Sequence, residues 1–335
     1  MMRLFKRSVA LLFMLVASSY AQAQAAGLAS ATGAVYPTKP IRLLVPFAPG
    51  GSIDIAARIL GAPMAQALGQ NIVIDNRPGS GGLIAMQETA RANPDGYTMI
   101  LATGGQVGIA PALYARPGYD PVKDFAHVMH LTDTPLILIV HPQLQAANAK
   151  EFIAYTQAPA NRGKVNTAST GNGTYTHLTT ELFKSLTGAD LTHIPYKGAA
   201  PAINDLMGRQ VQSMFTTTAS AQSYIAAGRI KALGVTSLKR SPSMPEVPTF
   251  AEQGIAGLTV SSWNGLVMPA ATPAPVVSRI AAESGKALQG ADVRSRLAAL
   301  GAEIAGVPGE PFTRMVRDDV LRWAKVVKAA GIRVE

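Results

Sequence analysis

The sequence predicts an α/β protein of two lobes, each built on a mostly parallel sheet flanked by helices. Short apolar runs alternate with segments of helical periodicity, which is typical of βαβ units. About 300 residues follow the N-terminal segment, enough for two hydrophobic cores. Residues 127–140 and 258–268 are predicted to cross between the lobes. We therefore expect lobe 1 at residues 36–135 and 260–335 and lobe 2 at residues 136–259.

The N-terminus has the pattern of a secretory signal peptide over residues 1–25. Arg3, Lys6 and Arg7 precede an apolar run at residues 9–16, and Ala-Gln-Ala occurs twice within residues 21–25. That run is too short to span a membrane. Residues 26–35 are expected to form a disordered leader. The chain has no cysteine for a lipid anchor or a disulfide, so we expect a soluble periplasmic protein.

The first lobe contains three predicted strands before the crossing. Ser52 is the expected N-cap of the first helix, with Asp54 in its first turn. Gly61 and Pro63 predict a kink or an early break in that helix. The predicted strands of this lobe are residues 41–47, 71–75, 98–103 and 260–268, and the helices are residues 54–68, 83–92, 275–288, 293–300 and 312–330.

The second lobe repeats the alternation of strands and helices. The predicted strands are residues 136–140, 164–168, 191–196, 211–216 and 230–235, and the helices are residues 149–157, 175–186, 199–207 and 220–227. Residues 241–248 contain three prolines and are expected to form an irregular loop.

Two glycine-rich loops, one in each predicted lobe, stand where a strand passes into a helix. Residues 46–54 read PFAPGGSID and residues 169–174 read STGNGT. Such a junction directs free backbone N–H groups and the positive end of a helix dipole at one point, which suits an anion. Two of them could hold a carboxylate-bearing molecule from both sides. The alternative is a pair of ordinary tight turns that bind nothing, since glycine is common at turns.

The charge pattern argues against a nucleic-acid-binding protein. The formal net charge is +10, and removing the three basic residues of the signal peptide lowers it to +7. The remaining basic residues are scattered and aromatic residues make up only 6% of the chain, so a nucleic-acid groove is poorly supported. The positive excess is compatible with attraction of small anions.

Nine short motifs, in order along the chain, resemble those of the Bug-type extracytoplasmic solute receptors of tripartite tricarboxylate transporters. They are YPTKPI at 36–41, PFAPGGSIDIAAR at 46–58, NRPGSGG at 76–82, PDGY at 94–97, STGNGTYTHL at 169–178, HIPYKGAAP at 193–201, VTSLKR at 235–240, PEVPTF at 245–250 and WAKVVKAAGI at 323–332. Together they extend over essentially the whole mature chain.

The resemblance implies a periplasmic-binding-protein fold of the Venus-flytrap type, which captures a small organic carboxylate between its lobes for a tripartite tricarboxylate-type transporter. In such receptors, backbone N–H groups, hydroxyls and water at two helix N-termini hold the carboxylates. The ligand-binding residues that it implies are Phe47, Ala48, Gly50, Gly51, Ser52, Asp54, Gly82, Thr103, Ser169, Thr170, Gly171, Gly173, Thr174 and His177.

The resemblance also implies a monomer with no catalytic residue, metal or cofactor, whose partners are its carboxylate ligand and the membrane subunits of a transporter. Family members often carry aspartates where this chain has Gln212 and Thr216, which disfavours a ligand with an ammonium group.

Asp54, His177 and the pair of His127 and His130 leave alternatives open. Asp54 could orient its loop by accepting N–H bonds, contact ligand through water, or lie on the surface. His177 could reach the ligand or brace its loop, and bracing is preferred. His127 and His130 are three residues apart, and an edge or hinge position is expected for them rather than a metal site.

Enzymatic signatures are incomplete. Ser80 does not complete a G-x-S-x-G motif, and the sequence has no Walker loop, no H-E-x-x-H and no full G-x-G-x-x-G. An exported hydrolase with scattered catalytic residues and a ligand-sensing subunit of a signalling system stand as alternative functions.

The signal-peptide pattern generates the first prediction. Cleavage is expected after Ala23 or Ala25, because both positions complete a small-residue site behind the apolar run. Mass spectrometry of the exported protein measures the new N-terminus. A mature protein that still carries Arg3 would refute the assignment.

Overall fold

The computed structural model describes residues 36–242 and 244–332, so the predicted signal peptide and leader lie outside the described residues. The described residues belong to two units, divided between Lys39 and Pro40. In the first unit, only residues 36–39 are described, and Tyr36 and Pro37 are joined by a cis peptide bond. The account below concerns the second unit.

Its described residues form one sheet of ten strands with helices in the connections. The strands are β1 (Ile41–Val45), β2 (Ile72–Asn76), β3 (Thr98–Thr103), β4 (Phe125–Val140), β5 (Asn166–Ser169), β6 (Thr192–Pro195), β7 (Ser213–Thr217), β8 (Lys231–Val235), β9 (Ser261–Pro269) and β10 (Glu303–Pro308). The helices are α1 (Ser52–Leu68), α2 (Leu83–Ala90), α3 (Ala110–Leu113), α4 (Ala149–Gln157), α5 (Tyr175–Thr187), α6 (Ala199–Met207), α7 (Thr218–Ala226), α8 (Ala274–Gln289), α9 (Ala291–Ala299) and α10 (Glu310–Ala330). A π-helical turn, Gly105–Ile109, precedes α3.

The strand order is β2-β1-β3-β9-β4-β7-β5-β6, and β8 and β10 also pair with β4. The outer strands are parallel, as predicted: β1 pairs with β2 and β3, and β5 pairs with β6 and β7. The strands that cross the middle of the sheet pair antiparallel, which the sequence analysis did not predict. Strand β4 pairs with β9 and β10 over its first part and with β7 and β8 over its last five residues, 136–140.

Helix α10 contributes to two hydrophobic clusters. Phe312 and Val316 pack in a cluster with residues of β1, β3 and β9. Trp323 and Val327, farther along the same face, pack in a cluster with the buried phenylalanines of α4, α5 and β7. The buried positions recur every three or four residues, as expected for one apolar helix face. The predicted lobe boundaries, which assign all of α10 to lobe 1, remain a prediction.

For helix α1, the expected early break and the expected N-cap at Ser52 are wrong, while a kink at Gly61 and Pro63 stays a prediction. The helix continues from Ser52 to Leu68 through Pro63, so there is no early break. Apolar residues before and after the proline, including Leu60 and Met64, are buried, and this packing outweighs the local cost of the proline. The N-cap is Gly51 in an extended conformation, and Ser52 is the first helical residue.

Three regions differ from the predicted element pattern. Strand β4 begins at Phe125 rather than at residue 136, because its first part pairs with β9 and β10 from the distant C-terminal region. The π-helical turn with α3, and strand β10, were not predicted at all. Elsewhere the predicted strands and helices are present, and β3, α4 and α6 have the predicted bounds.

A buried carboxylate connects three of these elements. Asp319 on α10 accepts hydrogen bonds from Trp263 Nε1 on β9 at 2.9 Å and from the Tyr175 hydroxyl on α5 at 3.4 Å. Burial raises the pKa of Asp319, and the Trp263 hydrogen bond acts in the opposite direction. The Tyr175 ring packs edge-on against Trp323, with ring centroids 5.5 Å apart. Gly104 lies so close that a β-carbon there would overlap the Tyr175 hydroxyl and Trp263 Nε1.

Gly104→Ala is therefore expected to lower the free energy of unfolding by at least about 1–3 kcal/mol, because two aromatic side chains would have to move. Urea unfolding measures the change. Gly208→Ala is the matched control, since Gly208 has an ordinary helical φ of −79° and its added β-carbon meets only backbone oxygens at 3.4 Å and beyond. Equal stability of the Gly104 variant and the wild type would contradict the packing described here.

Candidate functional site

A cavity of about 380 Å³ lies where the two predicted glycine loops approach each other. One side is formed by the β1–α1 junction and by the segment from β3 to α3. The other side is formed by the β5–α5 loop and the β7–α7 junction. Among the described residues, no Asp, Glu, Lys, Arg or His lines this cavity. Any charge on a ligand must therefore be compensated by dipoles.

The structure brings part of the predicted residue set to the cavity. Six residues line it: Phe47, Ser52, Thr103, Thr170, Gly173 and Thr174. The other eight are not among the lining residues: Ala48, Gly50, Gly51, Asp54, Gly82, Ser169, Gly171 and His177. Several of the second group hold the loops in place, as described below. Ligand binding by any of the fourteen remains a prediction.

The first loop is braced by Asp54. Its buried carboxylate accepts hydrogen bonds from the Gly50 N–H at 2.9 Å, from Asn76 Nδ2 at 3.0 Å and from the Arg58 guanidinium at 2.9 and 3.0 Å. The Arg58 hydrogen bonds are the largest cause that lowers its pKa to about 2. Asn76 Nδ2 also donates to the Phe47 carbonyl at 2.9 Å. Asp54 thus orients the loop by accepting an N–H bond, one of the alternatives stated above.

The bracing leaves backbone donors of α1 free. Gly50 has a φ of +83°, which glycine adopts readily. In the described part of the chain, the N–H groups of Ser52 and Ile53 have no protein acceptor. Both residues line the cavity. These groups are the ordinary unpaired donors of a helix N-terminus, so this end of the cavity carries a positive potential.

The second loop is held by its own side chains. Thr176 Oγ1 accepts from the Thr170 N–H at 2.9 Å, and His177 Nδ1 accepts from the Gly173 N–H at 3.1 Å. The Gly173 donor is therefore already used and faces His177 rather than a ligand. Within the described residues, the N–H groups of Tyr175 and Thr176, at the start of α5, have no protein acceptor. The preferred interpretation of His177 as a brace agrees with this contact.

Two stacked histidines stand behind the second loop. The rings of His177 and His193 are nearly parallel, with centroids 3.8 Å apart. The Ser169 hydroxyl lies 2.6 Å from His193 Nε2. Burial is the largest cause that lowers the pKa of each histidine to about 4. Lys184, ion-paired with Glu181 at 2.9 Å, lowers both pKa values further. Both rings are therefore neutral at neutral pH, as an Nδ1 acceptor requires.

The sequence analysis missed the wall formed by the π-helical turn and α3. Gln106, Ile109, Leu113 and Tyr114 line the cavity from this segment. Gln106 is fixed by hydrogen bonds from Thr103 Oγ1 at 2.6 Å and to the Gly81 carbonyl at 2.8 Å. A β-carbon at Gly82 would lie only 2.6 Å from Gln106 Nε2, so glycine there permits this approach. The available signal was a third strand–glycine junction, Thr103-Gly104-Gly105, followed by apolar residues four positions apart.

Comparison with known families identifies the family to which this chain belongs. The family model described as "Tripartite tricarboxylate transporter family receptor" matches residues 56–332. The chain belongs to this family. The match confirms the resemblance seen in the nine motifs. Receptors of this family are periplasmic. No helix in the described residues is long and apolar enough to cross a membrane.

Individual receptors of the family are similar over most of their length. Protein BugT of Bordetella pertussis is 34% identical over 312 residues, which cover 92% of this chain and 95% of BugT. Among solved structures, Rpa4515 of R. palustris with adipate has 34% identity and a TM-score of 0.75, covering 89% of this chain and all of that one. MatC of Rhodopseudomonas palustris with bound malate has 35% identity and a TM-score of 0.71, covering 87% of this chain and all of that one. The predicted two-lobe periplasmic-binding-protein fold is confirmed.

The histidine pair generates a prediction on pH. Because the folded-state pKa values lie near 4 and the reference value is 6.5, the unfolded chain binds more protons between these limits. The contribution of a neutral buried histidine to the free energy of unfolding is fully present above about pH 6.5. It is lost as the pH falls toward 4, by on the order of 2–3 kcal/mol for a single histidine. Urea unfolding at pH 7.5, 6.5, 5.5 and 4.5 measures this. Asp54, with a pKa of about 2, titrates below that range.

His177→Asn isolates the effect, because an amide oxygen can still accept from the Gly173 N–H but does not titrate. The variant should lose less stability between pH 6.5 and 4.5 than the wild type. Identical slopes for the two proteins would contradict the assignment.

Proposed function

We propose that this receptor captures a small organic carboxylate in the cavity and presents it to the membrane subunits of a tripartite tricarboxylate-type transporter. One observation carries the proposal: the N-termini of α1 and α5 reach the same cavity, which no charged side chain lines among the described residues. Unpaired N–H groups at a helix N-terminus complement a negative ligand group. Adipate and malate, bound in the two related structures, are ligands of this class.

Backbone donors rather than a cationic clamp are proposed to hold the charge. Arg58 is engaged by Asp54, and Arg77 faces Asp75 at 3.2 Å and Glu88 at 3.6 Å. Neither arginine lines the cavity. The remaining contributors are the free N–H groups at the start of α1 and α5, together with neighbouring hydroxyls such as that of Ser52. This arrangement favours a carboxylate over a larger, more highly charged anion, because it supplies dipoles and no full positive charge.

We also infer that the protein binds its ligand without converting it. The nearest approach to a catalytic pair is Ser169 with His193, but this hydroxyl is buried and also accepts from the Gly171 N–H at 3.1 Å. Neither residue lines the cavity, and no carboxylate contacts the His193 ring among the described hydrogen bonds. These features support a receptor over a hydrolase.

The proposed setting is the periplasm, reached through the cleaved signal peptide, with the protein working as a monomer. The lobes are proposed to be residues 36–135 with 260–335 and residues 136–259. Strands β4 and β9 would then form the connection between them. The antiparallel pairing of these strands, over residues 125–135 and 261–269, supports a connection of two adjacent chain segments.

The test measures binding of adipate and malate by calorimetry, in the wild type and in Ser52→Pro. Proline is tolerated at the first position of a helix, and Gly51 before it has the extended conformation that proline requires (ψ 163°). The variant loses one N–H donor at the cavity. Because a hydrogen bond to a charged group contributes about 1.5–3 kcal/mol, binding should weaken about ten- to a hundredfold.

Ser52→Ala is the control, since it removes the hydroxyl and keeps the N–H, and circular dichroism checks the fold of both variants. A bound ligand at about 100 times its Kd should also stabilise the wild type by roughly 2.7 kcal/mol. Undiminished binding by Ser52→Pro would reject the backbone-donor model. Failure of every carboxylate to bind, or consumption of one as followed by NMR, would reject the receptor function itself.

A further inference from the structure

One wall of the cavity carries mostly apolar side chains, beside the amide of Gln106. Ile109 and Leu113, four residues apart in the π-helical turn and α3, line it together with Tyr114, the residue that follows α3. Phe47 and Ile53 contribute apolar surface from the β1–α1 junction. A ligand held at the helix N-termini must therefore place part of its body against hydrocarbon.

Several polar groups around the cavity already have protein partners. The Thr103 hydroxyl donates to Gln106 Oε1 at 2.6 Å, and the Thr174 hydroxyl donates to the Gly171 carbonyl at 2.7 Å. The hydroxyls of Thr217 and Ser220 are 2.9 Å apart. These hydroxyls stabilise the loops, and a hydroxylated ligand would have to compete with the protein partners that they already have. Burying such a ligand hydroxyl against the apolar wall would cost free energy, because its hydrogen bonds to water would not be replaced.

The cavity also lacks compensation for a positive ligand group. Thr216, at the end of β7, supplies a hydroxyl where an aspartate could have supplied a negative charge. Gln212 accepts from the Asn166 N–H at 2.8 Å and is not a lining residue. A ligand ammonium group would be buried without a counter-charge, which is strongly unfavourable.

We propose that this cavity selects carboxylates with an unsubstituted hydrocarbon body over hydroxylated acids of the same length and charge, and over amino-substituted acids of the same length. The inference rests on the proposed function, since it assumes that carboxylates bind at the helix N-termini, and it specifies the ligand class of that site. The volume of about 380 Å³ is at the lower end of small-molecule sites, which suits a body of a few carbons. Ile53 is a specificity-determining residue, because its side chain borders the cavity beside the free N–H groups of α1.

The test compares two matched pairs by calorimetry with the full mature protein. Adipate and D-glucarate have six carbons and two carboxylates, and they differ by four hydroxyls. Succinate and tartrate form the corresponding pair of four carbons. Adipate should bind at least about tenfold more tightly than D-glucarate, since leaving even one buried hydroxyl without a hydrogen-bond partner costs about 1–3 kcal/mol. Succinate should likewise exceed tartrate.

Variants at two neighbouring isoleucines locate the selectivity. Ile53→Thr exchanges apolar surface at the cavity for a hydroxyl, and it should reduce the preference for adipate over D-glucarate roughly tenfold. Ile55→Thr is the matched control, because Ile55 lies two residues farther along the same helix, is 37% exposed and does not line the cavity. It should leave the preference unchanged.

The outcomes separate the two proposals. If D-glucarate or tartrate binds as tightly as its unsubstituted partner, the ligand-class inference is wrong while carboxylate capture stands. If Ile53→Thr and Ile55→Thr have the same preference as the wild type, the assignment of Ile53 is wrong. If none of the four acids binds, the proposed function fails, and the inference fails with it.

Discussion

The antiparallel pairing of β4 is the constraint on which the rest of the structure depends. This strand of 16 residues bonds to β9 and β10 over its first part and to β7 and β8 over its last five residues. A one-residue slip in either pairing would turn buried side chains to the opposite face of the sheet. The parallel strands on both sides are therefore held in register through one continuous segment. The positions of β1 and β5, whose ends lead into the two loops at the cavity, follow from that register.

Side chains and backbone have different tasks at the cavity. Asp54 and His177 each lie in the first turn of a helix, and each accepts the N–H of a glycine four residues earlier, Gly50 or Gly173. These bonds fix two loops of unlike sequence by the same i, i−4 geometry. The N–H groups two and three residues after each glycine, those of Ser52 and Ile53 and of Tyr175 and Thr176, have no protein acceptor among the described residues and belong to residues that line the cavity. The preorganised donors thus belong to the backbone, and the conspicuous polar residues serve to position them.

The sequence was informative where a signal is local. Apolar periodicity and turn residues predicted β3, α4 and α6 with the bounds that the structure has, and the glycine loops predicted where the cavity lies. Local signals failed for β4, whose first part mixes histidine, threonine and aspartate with apolar residues and is defined by partners more than 100 residues away. They also failed for the segment 105–113, because its wall position depends on Gln106 and Gly82 meeting in space.

Which backbone N–H groups are free to bind a ligand also depends on contacts that are distant in sequence. Glycine at position 173 suggested an open N–H, yet the orientation of His177 decides that this group is taken. The position of the His177 ring in turn depends on stacking against His193, which lies on strand β6. No pattern within one loop reports on such a contact. The pattern can locate a site, but which atoms face the ligand depends on packing.

Helix α10 packs in two separate hydrophobic clusters, and this limits how far the two clusters can move apart. Its first half packs with β1, β3 and β9, and its second half, with Trp323, packs among the aromatic residues of α4, α5 and β7. Any separation of these two clusters must bend the helix or pull one half away from its neighbours, which would expose Trp323 and part the Tyr175 hydroxyl from Asp319. The C-terminal helix therefore joins the two clusters and resists their separation.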